Sequence, residues 1–218
     1  MGMVRSTIFN RPYQPSLIAF SGMLYIFDDA DCKVGSSVDQ THLEELSAFV
    51  EKRERCPMLS VLVVYDSKTG NTEKMAEAVS RGVRKATTAS LEIKKATQVE
   101  NSDLLKADVI IVGSPTYYGL MSAPVKAMFD KSIKIHGKLE RKIGAAFTSS
   151  GGTASGAETT ILSILEAMLV HGMIVQGRHQ SKHYGAAAVG SPDQDGLRLC
   201  EELGQRTVEL ALKLKSKK

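Results

Sequence analysis

The sequence predicts an α/β fold in which residues 58–218 form a doubly wound parallel sheet with helices on both faces. Two observations support this prediction. Short segments rich in β-branched residues alternate along the chain with amphipathic helical patterns. In addition, several of the strand segments are nearly continuous in apolar residues, as is typical of strands that a parallel sheet buries on both faces.

Five strands are predicted in this part of the chain, each from a short apolar segment. In chain order they are 58–66, 91–96, 108–115, 142–150 and 172–177. Helical patterns lie between these strands and after the last one. They are marked by Met75, Val79, Val83 and Ala86, by residues 121–135, by Thr160 to Val170, and by a final stripe of Leu197, Cys200, Leu203, Thr207, Leu210 and Leu214.

Residues 1–57 do not continue this alternation. They contain two short predicted strands, 17–20 and 23–27, and one predicted helix in which Thr41 caps the segment "HLEELSAFVEKRER". We therefore predict an N-terminal extension followed by a functional domain at 58–218. No chemistry is assigned to the extension.

The charge distribution argues against a nucleic-acid partner. The net charge of +4 divides into −2 for residues 1–57, which hold 6 Lys or Arg and 8 Asp or Glu, and +6 for residues 58–218. This excess is modest, and its largest cluster is the C-terminal "KLKSKK", which is typical of a solvated tail.

Cysteine usage and hydropathy predict a cytoplasmic protein without a membrane segment. Cys32, Cys56 and Cys200 are far apart, so neither a disulfide framework nor a metal site is indicated. The apolar run at 16–27 is interrupted by serine and glycine and is followed by "DDAD", unlike a signal peptide. No apolar run in the sequence reaches the roughly 20 residues that a membrane-spanning helix needs.

The first polar loop, in "DSKTGNTEKMA", joins the first core strand to its helix and suits a phosphate. Ser67, Thr69 and Thr72 provide hydroxyl groups, Asn71 an amide, and Gly70 freedom for backbone N–H groups to converge at a helix N-terminus. Since no lysine follows in a Walker arrangement, a monophosphate fits better than a triphosphate. The alternative is an ordinary turn in which Thr72 or Asn71 caps the helix.

The second polar loop, "GSPTYYGLMSAP" at 113–124, follows the third core strand. Its two adjacent tyrosines could stack against a flat ring, while turn amides bond the polar edge of that ring. The alternative is a Gly/Pro turn with surface tyrosines.

The third polar loop, "TSSGGTASGAE" at 148–158, follows the fourth core strand. Its small residues would allow the backbone to approach a ligand closely, although a linker is the alternative. One phosphate cradle and two loops suited to a flat polar ring together describe a mononucleotide-like cofactor, and FMN has that shape.

Five segments, "SKTGNT", "GSPTYYGLMSAPVKAMFD", "FTSSGG", "VHGM" and "HYGAAAVGSP", resemble those of flavodoxin-like FMN proteins. The similarity is greatest to the tryptophan-repressor-binding-protein A (WrbA) type of NAD(P)H:quinone oxidoreductase and to flavodoxin relatives. It covers residues 59 to about 214. The resemblance implies a five-stranded sheet of order 2-1-3-4-5, FMN as cofactor, NAD(P)H as electron donor, and a homodimer or homotetramer.

The resemblance also assigns residues to the three parts of the cofactor. The phosphate would be held by Ser67, Gly70, Asn71 and Thr72, with Thr69 in the same loop. The isoalloxazine ring would be lined by Pro115, Thr116, Tyr117, Tyr118 and Gly119. The ribityl chain and the ring edge would be wrapped by Ser149, Ser150, Gly151, Gly152 and Thr153.

Three further residues are candidates for the substrate side. His171 occupies the histidine position of the WrbA type near the flavin, and it is the candidate catalytic residue; the alternative is a histidine that merely ends a helix. His183 and Tyr184 could line the substrate side or lie in a surface loop. The chain has Tyr117 where the WrbA type commonly has arginine, and it contains no tryptophan.

Two classes of function remain open from the sequence. In the first, the protein is an enzyme that reduces a quinone or similar acceptor with NAD(P)H. No dinucleotide fingerprint is present, so donor and acceptor would bind in turn over the flavin, in a ping-pong cycle. In the second, it is a flavodoxin that carries electrons between redox partner proteins. The charge of +6 on 58–218 favours the enzyme; a flavin-free scaffold is a third, weaker alternative.

Overall fold

The computed structural model describes the backbone of residues 16–20, 23–28 and 31–33, and residues 59–87 and 89–216 with their side chains. Backbone contacts divide the chain into two compact units, Met1–Pro57 and Met58–Lys218.

The first unit contains a three-stranded antiparallel sheet. Its strands are β1 (Ser16–Phe20), β2 (Met23–Asp28) and β3 (Asp31–Lys33), arranged in the order β1-β2-β3. The first two correspond to the predicted strands, whereas β3 is too short to have a pattern of its own. The predicted helix that Thr41 would cap lies outside the described residues.

The second unit alternates strands and helices along the chain. Its strands are β4 (Ser60–Tyr65), β5 (Ser90–Lys95), β6 (Val109–Pro115), β7 (Ile143–Ser150), β8 (Ile174–Val175) and β9 (Ala186–Val189). Its helices are α1 (Asn71–Ala86), α2 (Asn101–Lys106), α3 (Ala123–Lys131), α4 (Ala157–Val170) and α5 (Gln194–Lys215), with 3₁₀ turns at Ala96–Gln98 and Ser132–Ile135.

The strands of this unit form one parallel sheet in the order β5-β4-β6-β7-β8, with β9 also paired to β7. Numbered from β4, this is the predicted order 2-1-3-4-5, so the fold prediction is confirmed. The fifth position is shared by two short strands. β8 pairs with the first two residues of β7, and β9 pairs with its last four.

Burial explains why these segments form the sheet centre. Every residue of β6 and β7 is buried, and so is every residue of β4 after the first, whereas the edge strand β5 is largely exposed. Apolar side chains of α1 and α5 pack on one face of the sheet, and those of α2, α3 and α4 pack on the other. The continuous apolar runs of the sequence therefore belong to strands covered on both faces, as predicted.

Helix α2 was not predicted, because it is short and buries a single residue, Leu104. A capping box holds its first turn: the N–H of Glu100 donates to Asp103 Oδ2 over 3.0 Å. Within the described residues, no helix is long and apolar enough to cross a membrane.

Candidate cofactor site

The three polar loops meet at one edge of the sheet. They leave the carboxyl ends of β4, β6 and β7, which are neighbours and parallel, so the loops lie side by side. From β4 the chain passes to β5, the neighbour of β4 on one side within the sheet, and then to β6, its neighbour on the other side. The crevice between the first two loops is therefore the point where the winding direction reverses, where open α/β sheets bind ligands.

The first loop presents an uncapped helix N-terminus. Gly70 is the N-cap of α1 with φ of 84°, and no side chain caps the helix. The N–H groups of the first turn have no acceptor within the helix, so they are available to an anion. A Cβ added at Gly70 would meet nothing within 4 Å, so the loop is open on this side. The alternative interpretation, with Thr72 or Asn71 as the cap, is wrong.

A bond from the strand to the helix positions this loop. The Tyr65 hydroxyl at the end of β4 donates to Glu73 Oε1, in the first turn of α1, over 2.6 Å. Burial, the bond to Glu73 and nearby negative charge raise the pKa of Tyr65 to about 12, so its hydroxyl keeps the proton it donates. Within the loop, the Gly70 N–H donates to Ser67 Oγ over 3.1 Å.

Thr72 joins the first loop to the third. Its Oγ1 lies 2.8 Å from Ser149 Oγ, and both residues are buried. In such a pair one hydroxyl donates to the other, and the remaining hydrogen is left for a further acceptor. The phosphate and ribityl segments predicted from the sequence are therefore in direct contact. Thr69, by contrast, is exposed.

The second loop is a tight turn with an exposed tyrosine at its tip. Tyr117 and Leu120 exchange two N–H···O bonds of 3.1 Å each, and the residues between them have positive φ: 51° at Tyr118 and 76° at Gly119. This is a type I′ turn. A bulky side chain is strained in the left-handed region, so the fold holds the fully exposed Tyr118 there at a cost in stability.

The second loop is fastened to both of its neighbours. The Thr116 N–H donates to the carbonyl of Ser149 over 2.8 Å, and its hydroxyl lies 3.0 Å from Thr148 Oγ1. On the other side, Lys68 Nζ lies 5.2 Å from the centroid of the Tyr117 ring, within the range of a cation–π contact. The three loops are therefore one connected structure.

The third loop turns directly beneath the second. Gly156, the N-cap of α4, has φ of 93°, and a Cβ there would lie 2.6 Å from Gly119 Cα. Only glycine permits this approach. Ser150 is buried and donates to the Gly152 carbonyl over 3.0 Å, whereas Gly151 and Thr153 are exposed. The start of the third loop at Ser150 is therefore hydrogen-bonded, and Gly151 and Thr153 form an exposed rim.

Comparison with known proteins identifies the family. Residues 59–187 match the family described as NADPH-dependent FMN reductase. The chain belongs to this family. The resemblance found in the sequence is confirmed, and so is the prediction of FMN as the cofactor. The family description also fits NAD(P)H as electron donor.

Individual relatives carry two kinds of name. The chain is 38% identical over 160 residues to a flavodoxin of Aquifex aeolicus, covering 70% of this chain and 86% of the relative. It is 34% identical over 191 residues to an NAD(P)H dehydrogenase (quinone) of Archaeoglobus fulgidus, covering 72% and 100%. A flavodoxin, WrbA-like protein from Agrobacterium tumefaciens superposes with a TM-score of 0.60 at 26% identity, covering 71% of this chain and 98% of that one.

The loops of this family member could hold each part of FMN. The phosphate suits the uncapped first turn of α1 beside Gly70, and the flat ring suits the exposed Tyr118. The side chain of Lys68, in the first loop, contacts the ring of Tyr117 in the second loop. Across the described part of the chain, no group of three His, Cys, Asp or Glu side chains could hold a metal ion.

His171 does not join these loops within one chain. It is the C-cap of α4, whose N-cap, Gly156, touches the second loop. The 14 residues of the helix separate the two ends by about 21 Å. His171 Nε2 lies 2.7 Å from Ser132 Oγ, and its ring centroid lies 5.8 Å from that of His136. Within one chain, His171 is therefore distant from the three loops, and its assignment as the catalytic residue stays a prediction.

His183 and Tyr184 lie on a strap, residues 176–185, that leaves the sheet after β8 and returns as β9. The strap is bonded internally: the Arg178 N–H donates to the His183 carbonyl over 2.9 Å, and His183 Nδ1 lies 2.8 Å from the Arg178 carbonyl. Tyr184 is about half exposed and shares a small pocket with Glu158, in the first turn of α4. The strap is also bonded to α5, since Arg178 Nε donates to Glu202 Oε1 over 2.7 Å and Arg206 donates to the carbonyl of Gly177 over 2.8 Å. Among the described residues it has no hydrogen bond to the three loops.

Sequence reasoning missed Lys68 and Thr159 as parts of this site. The Thr159 hydroxyl donates to the Gly119 carbonyl over 2.7 Å and fastens α4 to the second loop. Lys68 lies within the segment "SKTGNT", whereas no motif marks Thr159. Each side chain acts across a contact between segments that only the folded chain brings together.

Proposed function

We propose that the protein is an FMN-dependent oxidoreductase that passes electrons from NAD(P)H through FMN to a quinone or a similar acceptor. The observation that carries the proposal is the connected set of three loops at the carboxyl edge, with an open helix N-terminus at one end and Tyr118 at the other. Family membership and the relatives named NAD(P)H dehydrogenase (quinone) support it.

In this proposal residues 58–218 are the FMN-binding domain, and residues 1–57 are an extension without assigned chemistry. The residues in contact with the cofactor are those predicted from the sequence. They are Ser67, Thr69, Gly70, Asn71 and Thr72 at the phosphate, Pro115, Thr116, Tyr117, Tyr118 and Gly119 at the ring, and Ser149, Ser150, Gly151, Gly152 and Thr153 around the ribityl chain.

FMN, when bound, supplies the redox chemistry, since a flavin can accept a hydride and pass on electrons singly or in pairs. The protein binds and orients it. The first turn of α1 donates hydrogen bonds to the phosphate, and the Thr72–Ser149 pair provides a free hydroxyl hydrogen in the same region. The type I′ turn sets the backbone conformation of Tyr118 before the ligand arrives, which lowers the entropy cost of binding.

We further propose that NAD(P)H and the acceptor use the same exposed side of the site in turn. The open rim of the third loop and the tip of the second loop form one accessible surface, and no separate dinucleotide motif is present in the sequence. His183 and Tyr184 on the strap would line the outer side of this surface. His171 could act only in the site of another subunit, because it is distant from the loops of its own chain.

Turnover kinetics test this proposal. With FMN bound and oxygen excluded, NADPH or NADH should bleach the visible flavin absorption, and a quinone should restore it. Varying both substrates should give parallel double-reciprocal lines. Intersecting lines would contradict the ping-pong order. If neither nucleotide bleaches a flavin that dithionite reduces, the enzyme proposal is wrong.

That last result would favour the second candidate, a flavodoxin-type carrier between redox proteins. The relative in Aquifex aeolicus that bears the name flavodoxin supports this alternative. The charge of +6 on residues 58–218 argues against it, because such carriers are usually acidic.

We also propose a homodimer or homotetramer. Leu120 is 56% exposed beside the fully exposed Tyr118, so an apolar surface adjoins the site. Sedimentation equilibrium of the full chain should give a mass of two or four times 23.6 kDa. A monomer at micromolar concentration would contradict this part of the proposal.

A further inference from the structure

A second cavity, of about 500 Å³, opens at the opposite edge of the sheet. The strand residues that line it lie at amino ends: Leu59 precedes β4, Asp108 precedes β6, Ile143 begins β7 and Ile174 begins β8. The six residues of β4 place this amino edge about 20 Å from the loops of the cofactor site. The amino-edge cavity is therefore separate from that site.

The amino-edge cavity has an apolar wall and a cationic wall. The apolar wall consists of Leu59, Ile143, Ile174, Ala211 and Leu214, and the charged side chains are Lys138, Arg141, Lys142, Lys215, Asp108 and Glu140. Four cationic and two acidic groups leave an excess of two positive charges. Ile174 and Leu214 are 37% and 41% exposed, so the apolar wall is accessible from solvent.

Two of the four cations have structural partners. Lys215 Nζ lies 2.9 Å from Asp108 Oδ2, which also accepts the Ser60 N–H over 2.9 Å. Lys142 Nζ donates to the backbone carbonyls of Leu105, in the last turn of α2, and of Ala107, the residue after this helix. Both acceptors are neutral, so these bonds leave the charge of Lys142 uncompensated. Burial lowers the pKa of Lys142; Lys215 acts in the same direction and Asp108 against it.

Lys138 and Arg141 have no such partners. The closest carboxylate oxygen to Arg141 Nε is that of Glu140 at 3.8 Å, beyond hydrogen-bonding distance, and Lys138 forms no ion pair with any described residue. Arg141 also has φ of 66°, and its N–H is fixed to the Gly172 carbonyl over 2.9 Å. The fold keeps this arginine in a strained conformation on the cavity wall.

Helix termini explain only part of this charge. Lys215 lies in the last turn of α5 and Lys142 lies beside the end of α2, where cations interact favourably with the helix dipole. Lys138 and Arg141 belong to neither helix. Two exposed cations that cap neither helix thus border an accessible apolar surface.

We propose that the amino-edge cavity binds a small amphipathic organic carboxylate. Its carboxylate is held by Lys138 and by the forked guanidinium of Arg141, and its apolar body lies on Ile174 and Leu214. The proposal does not depend on the cofactor or on the reaction at the carboxyl edge.

Calorimetric titration of the full chain with octanoate tests this proposal. Octanoate should bind with one site per chain, whereas acetate, which lacks the apolar body, and octanol, which lacks the charge, should bind at least roughly tenfold more weakly. Saturating FMN should leave octanoate binding unchanged. Competition by FMN would place octanoate at the carboxyl edge and overturn the proposal, and so would absence of saturable binding.

Variants locate the site. The double variant Lys138→Gln/Arg141→Asn should weaken octanoate binding roughly tenfold or more, since each substitution removes a charge-assisted bond. Asparagine is chosen at position 141 because it tolerates positive φ. Lys134→Gln, an exposed lysine outside the cavity, is the matched charge control and should change affinity less than twofold. Leu214→Glu, on the opposite wall, should also abolish binding. Equal affinity in all four proteins would overturn the proposal.

Discussion

The two edges of the same sheet are built from different chemistry. At the carboxyl edge, short hydroxyl side chains and glycines bond to one another, as Thr72 does with Ser149 and Thr116 does with Thr148. At the amino edge, long charged side chains surround an apolar wall; among the described residues Lys138 forms no ion pair, and Arg141 has only a loose one with Glu140 at 3.8 Å. The first edge offers backbone N–H donors at a helix N-terminus, while the second offers cationic side chains.

This difference matters for what each edge can bind. Fixed amides lose little entropy on binding and suit a ligand of one defined shape. Lysine and arginine lose more rotamer freedom and recognise charge with less geometric precision. The carboxyl edge should therefore be sensitive to small steric changes, and the amino edge to changes of charge.

The largest effect is expected where the second and third loops touch. Gly156→Ala should lower the free energy of unfolding by about 3 kcal/mol, from the left-handed conformation and from overpacking against Gly119. Gly151→Ala is the matched control, because its added Cβ meets nothing within 4 Å, and it should change stability by less than about 0.5 kcal/mol. Urea denaturation measures both. Equal effects would show that the contact between these loops does not constrain the edge.

A smaller effect is expected from the buried hydroxyl pair. Thr72→Val should cost about 1–2 kcal/mol of stability, because it leaves Ser149 Oγ buried without its partner. Thr69→Val, in the same loop but exposed, should stay within about 0.5 kcal/mol of the parent protein. If both variants unfold at the same urea concentration, the bond between the first and third loops contributes nothing measurable.

Substitution of Tyr118 should change the stability of the apoprotein and its affinity for FMN in opposite directions. Tyr118→Asn should raise the stability of the apoprotein by about 0.5–1 kcal/mol, since asparagine tolerates positive φ. It should also weaken FMN binding roughly threefold to tenfold, through loss of the aromatic contact. Tyr117→Asn, without positive φ, should not stabilise. A Tyr118→Asn apoprotein less stable than the parent would mean that the turn stores no strain.

The smallest effect concerns pH and lies at the far end of α4. Ser132 Oγ donates to the Phe129 carbonyl over 2.7 Å, so it accepts the Nε2–H of His171, whose buried Nδ1 has no partner among the described residues. Burial lowers the pKa of His171 below 6.5, and His136 lowers it further. The unfolded chain therefore binds this proton more readily than the folded one.

The free energy of unfolding should accordingly fall as the pH drops from 7 through 6.5 towards the lower pKa that His171 has in the folded protein. The contribution of neutral His171 to stability should be fully present above pH 7. His171→Asn should flatten the dependence of the unfolding free energy on pH between 7 and 5. Lys134→Gln serves as a control on the same surface. An unchanged slope in His171→Asn would show that another group titrates.

The sequence was most informative where one physical cause dominates. Burial on both faces explains the apolar runs in β4 and in the first part of β6 and β7, so the sheet and its carboxyl-edge loops could be predicted. α2 and β9 were missed, because six and four residues carry too little periodicity and are held by neighbours.

The candidate site was predicted only in part. The hydroxyl and glycine composition of the loops indicated a phosphate and a ring. That composition did not reveal which partners each side chain takes: Thr72 with Ser149, or Lys68 with Tyr117. The motif that contains His171 did not reveal which edge of the sheet this residue occupies, because the direction of α4 decides it.

The central claim is that the uncapped N-terminus of α1 at Gly70 binds the phosphate of a flavin whose ring lies against Tyr118. Thermal unfolding of the apoprotein with FMN and with riboflavin, which lacks the phosphate, tests this most directly. FMN should raise the melting temperature, and riboflavin at equal concentration should raise it much less. An equal rise with both compounds, or no rise with FMN, would contradict the claim.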